Sequence, residues 1–233
     1  MIPWELLDTT TIPGEKSELR LYRRGEEFSI KIGHCELMNS RVHGSEDALA
    51  ELTCKRLGDK SRSRILIGGL GMGFTLAAAL QQIGSYAEIV VVELLPAVVK
   101  WNRGLLSSLA GHPLEDNRVT LHEGDVGQFI RSKQTVYDAI LLDVDNGPEG
   151  LTRKENDGLY SPAGLITALA ALRPGGIFGV WSVNPDHRFS KRLKRAGFKV
   201  EEIRAPARGR HGGRRHMIWL GAKMNGIKPS NNK

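Results

Sequence analysis

A regular alternation of apolar strands and helical segments, beginning at Arg64, limits this chain to an α/β fold. Five nearly continuous apolar runs predict strands, with the sequences RILIG, EIVVVE, RVTLHE, YDAILLD and GIFGVWS. Unbroken apolar runs are typical of parallel strands that are covered on both faces. Helices are predicted between them over 73–83, 95–105, 161–172 and 187–196. This order of elements predicts a doubly wound, mostly parallel sheet.

The two ends of the chain depart from this alternation. LRLYRR, FSIKIG and CELMNS are short segments that predict a small antiparallel β appendage, followed by a helix with Ser45 as its N-cap. FKVEEIR and RHMIWLGA, from Phe198 and Arg215, have no helix between them and predict an antiparallel hairpin. We therefore expect an appendage with a linking helix over 1–60, an α/β domain over 61–223 and a flexible tail over 224–233.

Composition fits one such domain with an appendage. The chain has 233 residues, of which 40% are hydrophobic, enough for a packed core. Cys35 and Cys54 do not make a disulfide framework, and the opening MIPWELLDTT lacks the pattern of a signal peptide. The uncharged stretch from Ile65 to Ala87 is interrupted by glycines and does not predict a membrane span. We expect a soluble, cytoplasmic protein.

Positive charge is concentrated at the carboxyl end. The net charge of the chain is +7, but residues 187–233 contain 14 Lys and Arg against two acids, Glu201 and Glu202. The preceding residues are therefore net acidic. This asymmetry indicates either a directed electrostatic surface or a set of ordinary solvated faces.

A glycine-rich turn follows the first apolar strand and leads into a helix. Gly69, Gly71 and Gly73 have the spacing G-x-G-x-G, which lets the backbone approach a ligand at a helix N-terminus. The dinucleotide spacing G-x-G-x-x-G would place its third glycine at Phe74. The turn therefore predicts a nucleotide-like ligand but disfavours an NAD-dependent dehydrogenase.

Acidic residues follow three further strands. Glu93 ends the second strand, where an acid can bind ribose hydroxyls, and Asp125 follows the third, where it can accept from an adenine amino group. Asp143 and Asp145 follow the fourth. Open α/β sheets bind ligands at this edge, although strand-end acids also cap turns. The four strand ends taken together favour a ligand site.

These motifs, with the LRPGG turn before the fifth strand and the terminal hairpin, resemble class I S-adenosylmethionine (SAM)-dependent methyltransferases over about residues 60–222. Within that superfamily the chain resembles spermidine synthase-like proteins, because VVVELLPAVV, YDAILLDVDNGP and GLYSPAGL match comparable segments. The resemblance implies a Rossmann-like, seven-stranded SAM-binding catalytic domain over 61–223. It also implies a homodimer formed through the N-terminal sheet.

By the same resemblance, five residues would bind the cofactor. Three glycines would lie against its methionine portion, Glu93 would hold the ribose and Asp125 the adenine; the glycines are Gly69, Gly71 and Gly73. No metal is implied, since the histidines and cysteines lack metal-ligand spacing.

The chain departs from the family pattern where the aminopropyl donor and the polyamine acceptor would bind. Gly71 stands where GGGDGG has its acid, and Met38 where a glutamine is expected. The Tyr-His-Glu segment has no clear counterpart in 43–47, and only Asp143 of the DSSDP motif is matched. These departures favour methyl transfer from SAM to an unidentified acceptor. Aminopropyl transfer from decarboxylated SAM, as in spermidine synthase, is the alternative.

Asp143 is the predicted catalytic residue, because it matches the family's catalytic acid and a carboxylate there can take a proton from the acceptor. Its alternative role is to orient the loop or the cofactor's amino group. Asp145, Asn146 and Tyr160 are weaker candidates for substrate contacts, and Tyr160 could equally pack under the loop.

The loop after the sixth strand is expected at the mouth of the site. It carries basic residues that would attract a phosphate, a nucleic acid or an acidic small molecule and repel a polyamine. The candidate residues are Arg208, Arg210 and Arg214. A solvated loop is the alternative, and no RNA-binding aromatic motif accompanies it. A third hypothesis is a non-catalytic module that binds a nucleoside or a nucleic acid.

Overall fold

A computed structural model of the chain describes residues 2–13, 17–59, 61–144 and 156–224. The first four strands form a separate antiparallel sheet in the order β1-β2-β3-β4. These strands are β1 (Glu5–Thr11), β2 (Glu18–Arg24), β3 (Glu27–Ile32) and β4 (Cys35–Asn39). β1 was not predicted from the sequence. Its register shifts between Leu6 and Asp8, and its Asp8-Thr-Thr-Thr end interrupts the apolar alternation.

The remaining seven strands form one sheet in the order β10-β11-β9-β8-β5-β6-β7. They are β5 (Arg64–Gly68), β6 (Glu88–Glu93), β7 (Val119–Glu123), β8 (Tyr137–Leu142), β9 (Leu172–Ser182), β10 (Phe198–Pro206) and β11 (Arg215–Lys223). β5 to β9 pair in parallel, whereas β11 is antiparallel to both of its neighbours. The predicted fold class, including the terminal hairpin and the N-terminal β appendage, is confirmed.

Within the described ranges, seven α-helices connect the strands. They are α1 (Gly44–Lys55), α2 (Phe74–Gln82), α3 (Pro96–Arg103), α4 (Val126–Arg131), α5 (Asn156–Leu159), α6 (Pro162–Ala171) and α7 (His187–Arg195). Two 3-10 turns cover Pro113–Glu115 and Gly209–His211. α4 and α5 were not predicted, because six and four residues are too short to show a helical period.

The helix caps agree with the sequence at α6 but not at α1. Ser161 accepts a hydrogen bond from the backbone N–H of Gly164, as an N-cap does. The expectation for Ser45 is wrong: the N-cap position of α1 lies two residues earlier, at His43, which makes no side-chain cap. The Ser45 hydroxyl makes other hydrogen bonds, described below.

The central strands are buried on both faces, which explains their unbroken apolar sequences. Ile65 and Ile67 of β5 belong to a cluster that also contains Leu19 and Leu21 of β2. Leu66 belongs to a second cluster on the opposite face, together with residues of α6 and α7. The N-terminal sheet therefore shares a hydrophobic cluster with one face of the central sheet.

None of the helices formed by the described residues has the length and apolar character that a transmembrane helix requires.

Candidate functional site

A cavity of about 150 Å³ opens at the carboxyl ends of the parallel strands. Its floor is formed by residues that follow β5, β6, β7 and β8, which is the edge where open α/β sheets bind ligands. Its other wall is apolar and comes from the N-terminal part of the chain. That wall consists of Ile12, Leu19, Ile30, Ile32, Leu37 and Met38. The N-terminal sheet thus encloses a site that the central sheet alone would leave open.

The glycine turn passes very close to neighbouring backbone. Gly69 has φ +88°, and a Cβ atom there would lie 2.3 Å from the carbonyl oxygen of Asp143. Gly71 has φ +53°, and a Cβ there would lie 2.9 Å from the Cε of Met38. Both glycines line the cavity. Gly73 has φ +84° at the N-cap position of α2 and is not among the described lining residues.

Glu93 ties this turn to the end of β6. One carboxylate oxygen accepts from the backbone N–H of Leu70 and the other from that of Leu95, both at 2.8 Å. The residue is 7% exposed and faces the cavity. A carboxylate oxygen has more than one acceptor site, so these bonds leave capacity for the hydroxyls of a ligand.

Asp125 has two roles at the end of β7. Its Oδ1 accepts from the backbone N–H of Gln128 at 2.6 Å and so caps α4, a helix that the sequence did not reveal. The residue also lines the cavity. Capping and ligand binding, which the sequence presented as alternatives, are therefore compatible at this position.

Asp143 follows β8 and faces the same cavity. The hydroxyl of Thr75 donates to its Oδ2 at 2.6 Å. Burial raises the pKa of this carboxyl to about 6, and the nearby negative charge of Asp47 adds to the effect, whereas the Thr75 hydrogen bond opposes it. A carboxyl with a pKa near neutrality can both accept and release a proton.

Glu46 is a cavity residue that the sequence did not single out as functional. It lies in the first turn of α1, where an acid is explained by the helix dipole alone. Its side chain lines the cavity with Asp143, and burial, followed by the charge of Asp143, raises its pKa to about 8. No local sequence motif indicates that Glu46 lines the cavity, because this depends on where α1 packs against the strand ends.

The acceptor-side candidates are not all in the cavity. Tyr160 is 3% exposed and packs edge-on against Phe189, with ring centroids 5.5 Å apart, so it contributes to the core. Asp145 and Asn146 lie outside the described residues.

The basic loop lies apart from the described cavity lining. Arg214 donates to the Oδ1 of Asn184 at 2.8 Å and lines a separate cavity of about 210 Å³. Arg204, Arg215 and His216 line this second cavity too. Arg208 is exposed, and the side chain of Arg210 is not among those described.

Among the described residues, no group of three or more His, Cys, Asp or Glu side chains is arranged to hold a metal ion.

A comparison with models of protein families shows which family the chain belongs to. A family model described as "Spermine/spermidine synthase domain" matches residues 54–195. The chain belongs to the spermine/spermidine synthase family. Curated proteins give no match to the sequence.

Several solved structures have the same fold as this chain, although their sequence identity to it is low. Spermidine synthase from Thermotoga maritima is 13% identical, with a TM-score of 0.76 over 94% of this chain and 72% of that one. A spermidine synthase in complex with the transition state analogue AdoDATO is 14% identical, with a TM-score of 0.77 over 94% and 73%. The O-methyltransferase TomG from Streptomyces achromogenes, in complex with SAM, is 17% identical, with a TM-score of 0.55 over 78% and 80%. Family and fold support an enzyme of the transferase class.

Proposed function

We propose that this protein transfers an aminopropyl group from decarboxylated SAM to an amine. The charge of the cavity is the observation that carries the proposal. Among the described lining residues every charged side chain is an acid: Glu46, Glu93, Asp125 and Asp143. Such a lining suits a sulfonium donor and an amine acceptor, both of which are cationic.

This replaces the preference for methyl transfer that the sequence suggested. That preference depended on missing family residues and on a basic loop at the mouth of the site. The described lining contains no lysine or arginine, and Glu46 supplies an acid from α1. Family membership also favours aminopropyl transfer.

Donor binding is assigned to residues at three strand ends. Gly69 and Gly71 bring backbone to the cavity, Glu93 is placed to accept from ribose hydroxyls, and Asp125 is placed to accept from the adenine amino group. Glu93 is preorganised for this, since two backbone N–H groups already fix its carboxylate.

Asp143 is the proposed base. The acceptor nitrogen, in its neutral amine form, attacks with its lone pair the propyl carbon bound to sulfur. The C–S bond breaks and its electron pair stays on sulfur, which leaves methylthioadenosine. The nitrogen then loses a proton, and the Asp143 carboxylate accepts it. Most of the rate enhancement would come from holding donor and acceptor in line, to which the base adds.

Methyl transfer from SAM is the second candidate. Gly71 and Met38 favour it, because no acid projects from the glycine turn at that point and Met38 closes the space beside it. The resemblance of the fold to TomG, solved with SAM, is compatible with it.

The products separate the two reactions. The protein is incubated with decarboxylated SAM or with SAM and a panel of diamines and polyamines, and the nucleosides are identified by mass spectrometry. We expect methylthioadenosine from decarboxylated SAM, dependent on an amine. Formation of S-adenosylhomocysteine from SAM, without methylthioadenosine in the other reaction, would replace the proposal by methyl transfer.

The homodimer stays a prediction, which light scattering of the full chain tests.

A further inference from the structure

Glu46 lies where two parts of the site meet. It lines the main cavity and also an adjoining space of about 20 Å³, which Asp143, Gly71 and Met38 line as well. Thr75 links the two acids, because its hydroxyl donates to the Asp143 carboxylate at 2.6 Å and lies 3.4 Å from the carbonyl oxygen of Glu46. Two carboxyl groups from different elements therefore face one small volume.

The carboxyl of Glu46 is held by its neighbour. The buried hydroxyl of Ser45 donates to Glu46 Oε2 at 2.5 Å and accepts from the indole N–H of Trp181 at 3.0 Å. His216 Nδ1 lies 2.9 Å from the same oxygen. Since the hydroxyl has one hydrogen and Trp181 only donates, the arrangement is satisfied when Nδ1 of His216 carries a hydrogen and donates to Ser45. This network fixes the direction of Glu46 before any ligand binds.

The electrostatics of the pair favour a cation. Burial raises the pKa of Glu46 to about 8, and the charge of Asp143 adds to this rise; burial also raises the pKa of Asp143 to about 6. An ammonium group could donate to both carboxylates and remove the repulsion between them. A carboxylate in the same place would be repelled by Asp143 and by the ionised form of Glu46.

The second acid beside Asp143 comes from α1, because the glycine turn has little room for a side chain. A side chain at position 71 would come within 2.9 Å of Met38 Cε and 3.2 Å of its Sδ. An acid could not project there unless Met38 moved. Among the described lining residues, Glu93 and Asp125 lie at the ends of β6 and β7, away from the small space that Glu46 and Asp143 share.

We propose that Glu46 is the specificity residue that selects a donor whose tail ends in an ammonium group over one whose tail carries a carboxylate. This inference rests on the proposed function, because decarboxylated SAM and SAM differ by that carboxylate. The acid that distinguishes them then comes from the first turn of α1 rather than from the glycine turn.

Binding measurements on Glu46→Gln test the inference. Dissociation constants for decarboxylated SAM, SAM and methylthioadenosine are measured by calorimetry; methylthioadenosine lacks the charged tail and reports the nucleoside contacts alone. We expect the preference for decarboxylated SAM over SAM to fall about tenfold or more, as befits loss of a charged hydrogen bond. Affinity for methylthioadenosine should change less than about twofold, which also shows that the variant is folded.

Two control variants sharpen the result. Glu51→Gln changes an exposed acid of the same helix that is not among the described lining residues, so the preference should be kept. Glu46→Asp keeps the charge and should keep most of the preference even if Glu46→Gln does not fold. A wild-type preference in Glu46→Gln, or equal losses in Glu46→Asp and Glu46→Gln, overturns the inference. Failure of the parent protein to bind any of the three nucleosides contradicts the proposed function itself.

Discussion

Two of the cavities that the described residues form are opposite in character. One, of about 150 Å³, is lined by four acids that hydrogen bonds hold in place. The other, of about 210 Å³, is lined by Arg204, Arg214 and Arg215, all exposed. The net charge of +7 and the basic last fifth of the chain describe only the second cavity. The charge that a ligand meets therefore depends on the few side chains that line its cavity and not on the net charge of the chain.

The comparison predicts that the reaction depends on the acidic cavity. Asp143→Asn removes the proposed base while keeping its shape, so turnover should fall about 10²- to 10⁴-fold. Steady-state kinetics with decarboxylated SAM and an amine measure this. Glu123→Gln changes an exposed acid at the end of β7, the edge strand, outside the described lining, and should keep the parent rate. More than a tenth of the turnover remaining in Asp143→Asn would exclude it as the base.

Binding of the nucleoside should depend on Glu93. In Glu93→Gln an amide N–H₂ would face one of the two backbone N–H groups of Leu70 and Leu95 that the carboxylate now accepts from. We expect affinity for methylthioadenosine to fall about 10- to 100-fold, the range for loss of a charged hydrogen bond. Calorimetry measures it, with Glu88→Gln at the exposed start of the same strand as the control. Unchanged affinity would mean that the nucleoside lies elsewhere.

The acidic cavity should also leave a signature in the pH dependence of stability. The pKa of Glu46 is raised from 4.5 to about 8 and that of Asp143 from 3.8 to about 6. The folded chain therefore binds protons that the unfolded chain has lost, and the free energy of unfolding should fall as the pH rises from about 4.5 to about 8.

Urea unfolding between pH 5 and pH 8 checks this, and Glu46→Gln should make the dependence shallower. The basic cavity contributes in the opposite sense, because burial and the charge of Arg214 lower the pKa of His216. Because of this lowered pKa, His216 makes the free energy of unfolding rise as the pH increases from that pKa towards 6.5. A steeper fall in Glu46→Gln than in the parent would contradict the raised pKa of Glu46.

The smallest effect is expected in the basic cavity. Arg214→Ala removes a hydrogen bond to Asn184 at the surface, away from the described lining of the acidic cavity. We expect kcat/KM for an amine acceptor to change less than about twofold, as is typical of exposed charges. A loss of tenfold or more would show that this loop contacts the acceptor, as the sequence suggested.

The sequence predicted the fold better than the site. Continuous apolar runs and glycine spacing reveal a doubly wound sheet because each signal is local. Glu93, Asp125 and Asp143 were found for the same reason: each lies at the end of a strand or within two residues of it, and strand ends share one edge.

Glu46 could not be found in this way. Its role depends on the packing of α1 and on the hydroxyl of Ser45, which looks like a helix cap in the sequence but bonds to Trp181 and Glu46 in the fold. The role of the basic loop stays a prediction, because the direction of a strand does not say where the side chains of the next loop point.

Trp181 gives the cavity an optical signal. Of the four tryptophans, it alone is among the described lining residues, and its indole donates to the hydroxyl that holds Glu46. Trp101 and Trp219 are fully buried elsewhere, and Trp4 stacks with Arg24 and Lys31 on the N-terminal sheet. The emission of Trp181 should therefore change when a purine nucleoside enters or Glu46 gains a proton, so the protein carries its own fluorescent probe of occupancy.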